Sequence, residues 1–165
     1  MSSMASNIIY THKEERPARK LIVKRGKKAD EYFAYCEEVG CDVWGILESV
    51  NGALHESVGA WLPSRFRAPG TSEYVQGIEM PADYDGPVPE GFDVIDLPAC
   101  TYMVFQGEPY PEERFSEAIG AVWEAIDRYD PTAHGWAWAP EDGPRFQYAP
   151  VGARGYIEFR PVKAV

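Results

Sequence analysis

The sequence predicts an α+β fold in which a βαββ unit is used twice. Two halves related by a pseudo-twofold axis would then share one extended antiparallel sheet, with two long helices on one face. Two observations lead there. Strand-like and helix-like segments follow the same order on either side of a central Pro/Gly-rich link, and each half has an apolar strand face that it cannot cover alone. The 165-residue length adds that one core suffices, burying roughly two-thirds of the surface of the unfolded chain. Residues 1–15 read as a loose leader and 16–165 as a single domain, with repeat one at about 16–81 and repeat two at about 92–165.

The elements follow in chain order. Leu21-Ile-Val-Lys-Arg is β-branched and stops at Gly26, which predicts the first strand. Over 29–50, Tyr32, Cys36, Val39, Val43, Ile46 or Leu47, and Val50 recur at helical steps. This is one amphipathic helix or two segments hinged at Gly40, closed by Asn51-Gly52. Strand candidates at 53–62 and 73–80 each end at a proline. The link over 82–91 contains Gly86, Pro87, Pro89 and Gly91 and should be irregular. Repeat two begins with an apolar strand region, 92–106, broken near Pro98. A helix at 111–129 presents Phe115, Ile119, Val122, Ile126 and Tyr129 on one face. Pro111, Glu112 and Glu113 suit its positive end, and Asp130-Pro131 stops it. Strands at 134–139 with 146–149, and at 155–162, complete the unit.

The net charge of −10 disfavours direct nucleic-acid binding, which draws its affinity from clustered Lys and Arg. The basic cluster over 16–28 reads as the solvated face of a strand and its turn. Cys36, Cys41 and Cys100 lack metal-ligand spacing, no signal core follows Met1, and no run approaches the roughly 18 apolar residues of a membrane span. These features predict a cytoplasmic chain with no membrane association. His12, His55 and His134 are dispersed, and neither a nucleophile elbow nor a phosphate-cradling loop is present. No cofactor and no metal are expected.

The candidate site residues are aromatic and acidic. Trp136 and Trp138, Phe146 and Tyr148, and Tyr74 and Gln76 are paired at two-residue spacing, which puts each pair on one sheet face. Such rings either pack the core or line a half-polar cavity, because Tyr and Trp carry a polar tip that wants a partner. Glu79 and Glu158 interrupt apolar strands. A buried carboxylate is costly unless paired or facing a cation, so each is a structural ion-pair member or a pocket acid. Arg160 and Arg154 are the partners at hand for Glu158, whereas Gly77 leaves an open patch beside Glu79.

Several runs resemble those of the GyrI-like small-molecule-binding domain, the effector-binding module of AraC- and MerR-type bacterial transcription regulators. They are Tyr74-Val-Gln-Gly-Ile-Glu79, Val88-Pro-Glu-Gly-Phe-Asp93, Leu97-Pro-Ala-Cys-Thr-Tyr-Met-Val-Phe105 and Tyr156-Ile-Glu-Phe-Arg-Pro-Val162, in this order within a duplicated βαββ pattern. The resemblance covers residue 16 to the C-terminus and implies a cleft between two repeats, lined by rings, with an acidic side chain toward flat cationic ligands. Carried over, the ligand-binding set is Glu158, Glu79, Tyr74, Gly77, Trp136, Trp138, Tyr148 and Tyr156. No helix-turn-helix precedes the domain, so the expectation is a free-standing binding protein for a hydrophobic, aromatic or cationic small molecule. Two alternatives stay open. One is a hydrolase of electrophilic, cyclopropane-containing toxic molecules, with Glu158 or Glu79 as acid/base; the other is a gyrase-inhibitor-like adaptor that binds a protein partner.

Overall fold

The computed structural model describes residues 8–165, so the first seven residues of the predicted leader lie outside the described residues. Nine strands form one sheet: β1 (Tyr10–Arg16), β2 (Arg19–Lys24), β3 (Val58–Trp61), β4 (Tyr74–Pro81), β5 (Asp93–Leu97), β6 (Cys100–Gln106), β7 (Trp136–Trp138), β8 (Arg145–Tyr148) and β9 (Ile157–Ala164). The strands run β1-β6-β9-β8-β3-β4-β2-β5, with β7 added beside β9, and all pairs are antiparallel. The two halves are plain in this order. The trio β2-β4-β3 of the first half meets the trio β8-β9-β6 of the second at a β3–β8 seam, and the pseudo-twofold axis passes through that seam.

Outside the trios the halves exchange strands. β1 leads into β2 yet pairs with β6, whereas β5 leads into β6 yet pairs with β2. Tyr10–Arg16, which the sequence pattern leaves largely in the leader, is therefore an edge strand paired along its whole length, from Tyr10 opposite Gln106 to Arg16 opposite Cys100. Its side chains are mostly polar and exposed, a composition that protects an edge from further pairing and gives no period-two signal.

The three α-helices of the described residues lie on one face: α1 (Tyr32–Val39), α2 (Val43–Glu48) and α3 (Phe115–Arg128). Only α3 is long. The first helical region is the two-segment alternative, because Gly40 adopts φ 94°, a conformation that turns the chain out of the helix and that L side chains rarely enter. Glu31 caps α1 by accepting from the Phe33 and Ala34 N–H groups. Glu38 holds the same segment to the preceding loop by accepting from Lys27, Lys28 and Ala29.

Alternation along the strands sorts the apolar residues into separate cores. Tyr35, Val43 and Leu47 pack on Ile22, Ile78 and Met80 beneath α1 and α2, while Val122 and Ile126 pack on Met103, Phe105 and Val162 beneath α3. The helices thus cover β2 with β4 and β6 with β9, and leave the seam of β3 with β8 between them. On the other face the sheet curls upon itself, joining Leu21, Val75, Leu97, Tyr102, Phe146 and Phe159 in one helix-free cluster.

Candidate functional site

The register places four residues in one transverse row on the helical face. Gln76 on β4 lies opposite Gly59 on β3, Gly59 opposite Gln147 on β8, and Gln147 opposite Glu158 on β9. The row is symmetric about the seam, which makes Gln76 the counterpart of Glu158 and Tyr74-Val-Gln76 the counterpart of Tyr156-Ile-Glu158. At its centre Gly59 supplies no side chain. The Tyr74 hydroxyl occupies that space, 2.6 Å from where a Cβ would stand.

Above the row a cleft of about 620 Å³ opens between the helical regions. Its floor is Trp61, Tyr74, Gln76 and Gln147; one wall is Tyr32, Phe33 and Trp44; the facing wall, on α3, is Phe115, Ile119 and Trp123. Phe33 is 66% exposed and Trp123 45%. Rings of this size left in water, facing one another across a groove, make a surface that gains by being covered. Burial pushes the Tyr74 phenol up to about 12, so it remains a neutral donor. Gln76 Nε2 is buried with no hydrogen-bond partner among the described residues.

Glu158 lies just behind this cleft, fully buried. Its Oε1 accepts from Trp123 Nε1 at 2.8 Å and from the Tyr156 hydroxyl at 2.6 Å, and its Oε2 accepts from Arg160 Nε at 2.5 Å. Arg145 Nη1 stands 3.9 Å away. Burial, then the Glu158 charge, raises the Tyr156 pKa. Glu158 therefore reaches the cleft through the Trp123 indole and through the Tyr156 hydroxyl, which also lies 2.8 Å from Gln147 Oε1.

The other sequence candidates are distributed over the molecule. Tyr74 lines the cleft, and Tyr156 lies beneath it beside Glu158. Glu79 sits on the helix-free face, where it bridges Arg16 and Arg19, the latter at 2.9 Å. It is not the counterpart of Glu158, because it stands five positions after Tyr74 and an odd offset puts the two on opposite faces. Gly77 shares that face and opens no patch: a Cβ there would come within 2.9 Å of the Ile22 carbonyl oxygen. Tyr148 accepts from Arg16 on the same face, Trp138 lines a neighbouring cavity, and Trp136 lies under the Lys13 ammonium 4.8 Å from its ring centroid. The cleft residues that sequence reasoning missed, Phe33, Trp44 and Trp123 above all, carried one signal. They are large rings on helical segments and lie outside the stripes that pack the core.

Among the described residues no group of three or more His, Cys, Asp and Glu could hold a metal ion, and no helix is long and apolar enough to cross a membrane. No protein-family model matches the chain, and no curated protein matches it closely. Solved structures do. A protein from Staphylococcus aureus MU50 described under bacterial transcription regulation is 17% identical with a TM-score of 0.56, over 94% of this chain and 99% of that one. SAV2435, solved bound to tetraphenylphosphonium, is 16% identical with a TM-score of 0.58 over 93% and 94%. The C-terminal domain of EcmrR is 12% identical with a TM-score of 0.54 over 96% and 99%. The chain thus shares the fold of these proteins, in line with the α+β fold that the resemblance to GyrI-like domains implies.

Proposed function

We propose that this chain is a binding protein for a hydrophobic, aromatic or cationic small molecule, held in the central cleft above Tyr74. The observation that carries the proposal is the cleft itself: unburied rings on two facing helical walls, above a floor of Trp61, Tyr74, Gln76 and Gln147. The likeness in fold to SAV2435, which was solved with tetraphenylphosphonium, supports a bulky aromatic ligand. Ring faces attract a cation by about 0.5 to 2 kcal/mol each, so a delocalised organic cation suits such walls. Tyr74 is the contact residue among those singled out in the sequence, with Tyr156 and Glu158 in the layer behind it. Because Arg160 already pairs with Glu158, stacking rather than the carboxylate supplies most of the affinity. Gln76 Nε2 offers a donor to an acceptor on the ligand, recovering the roughly 1–3 kcal/mol that an unmet buried donor costs.

Isothermal titration with tetraphenylphosphonium tests this reading. Binding should be lost or weakened about tenfold or more in Trp44→Ala and in Trp123→Ala, in line with about 1–3 kcal/mol for a stacked ring. Glu158→Gln should change it by only a few fold. Wild-type affinity in both tryptophan variants would remove the cleft as the binding site.

A further inference from the structure

Next to the central cleft, and sharing Trp61 with it, lies a second cavity of about 420 Å³. Trp61 and Trp138 provide ring surface there, and Pro63, Pro140 and Ile126 provide apolar contact. Arg145 on β8 and Arg160 on β9 also line it. The Arg145 guanidinium lies 4.3 Å from the Trp61 ring centroid and makes no hydrogen bond among the described residues. Its nearest carboxylate oxygen, Glu158 Oε2 at 3.9 Å, already accepts from Arg160 Nε at 2.5 Å. Two guanidiniums therefore share one carboxylate, which also receives Trp123 and Tyr156.

The other charged groups of the cavity stand at its exposed margin. Arg67 gives its Nε to the Leu62 carbonyl and lies 3.9 Å from Glu73, while Asp127 and Glu141 are solvent-exposed. Burial, and next the Arg160 charge, lower the pKa of Arg145, with Glu158 partly offsetting them. The inner wall thus holds more positive than negative charge. The fold does not require this pair. The symmetry that superposes Gln76 on Glu158 places Ile78 at the position of Arg160 and Ser57 at that of Arg145, so the other half builds the same sheet without arginine.

We propose that this cavity is a binding site for an aromatic acid, with the carboxylate on Arg145 and Arg160 and the ring between Trp61 and Trp138. A planar guanidinium that is stacked yet lacks hydrogen-bond acceptors is preorganised for a carboxylate, with which Arg forms paired charge-assisted bonds. The site is chemically opposite to the central cleft and does not depend on its occupancy.

Titration calorimetry with 2-naphthoate and its neutral counterpart 2-naphthamide tests the site. The acid should bind at least about tenfold more tightly than the amide, a difference that Arg145→Gln abolishes. Trp44→Ala, which alters the central cleft alone, should leave naphthoate affinity unchanged, so the two sites succeed or fail separately. Should Arg145→Gln lower the melting temperature, Arg145→Lys gives the second measurement: it keeps the charge without the planar fork, and intermediate affinity is expected. Equal affinity for acid and amide, wild-type affinity in either Arg145 variant, or displacement of naphthoate by inorganic phosphate as effectively as by benzoate would each overturn the proposal.

Discussion

Glu79 and Glu158 show how one residue type on equivalent-looking strands takes two different roles. Both carboxylates are buried, and each meets arginine: Arg16 and Arg19 for Glu79, Arg160 for Glu158. Glu79 is enclosed by the helix-free core, where removing it would strand two guanidiniums without their shared partner. Glu79→Ala should therefore cost about 3–5 kcal/mol in urea unfolding and leave any remaining folded protein competent to bind in the cleft. A cost below about 1 kcal/mol would contradict the buried-bridge account. Gly59→Ala works at the other face. The new Cβ would stand 2.6 Å from the Tyr74 hydroxyl, and that ring is wedged between Tyr35 and Trp61, so the expected cost is about 1–3 kcal/mol together with weaker ligand binding. Unchanged stability and affinity would show that the seat of Tyr74 over Gly59 does not shape the cleft.

At the scale of single elements, the first helical region depends on two local devices. Gly40 at φ 94° and ψ 164° separates α1 from α2, and Gly40→Ala should destabilise by about 1–3 kcal/mol, checked by thermal unfolding. Glu38 anchors α1 by accepting backbone N–H groups, that of Lys27 foremost, and these hold its carboxyl below the usual range. A carboxylate whose folded pKa lies below its unfolded value contributes stability above the unfolded pKa and loses it as pH falls through the folded one. Wild type should thus lose more stability than Glu38→Gln as pH drops below about 4.5, compared by urea midpoints. Parallel pH profiles would rule this anchor out. The helix at 111–129 was legible in the sequence because caps and periodicity agree there, and the structure places α3 at Phe115–Arg128. β1 was not legible, since an exposed edge strand is selected for polar side chains and pairs through its backbone alone.

On the scale of the whole molecule, the duplicated order of elements could be read along the chain, whereas the site depends on how the copies meet. Strand periodicity alone would have separated Tyr74 from Glu79, and the repeat Tyr-Val-Gln and Tyr-Ile-Glu stands openly at 74–76 and 156–158. What the chain does not display is the β3–β8 seam, because neither Gly59 nor Gln147 carries a signal until the register sets them side by side. The wall residues were equally hidden. Phe33, Trp44 and Trp123 belong to helical segments whose core-facing stripes explain their helicity without them. The architecture follows from two half-covered sheets joining edge to edge, each with its helices over its own strands, so that the seam stays open between them. A crystal structure of the protein grown with saturating tetraphenylphosphonium tests that account most directly. It should show the ligand in the cleft above Tyr74, with rings against Trp61 and Trp123; a ligand bound on the helix-free face, or an empty cleft at saturation, would contradict it.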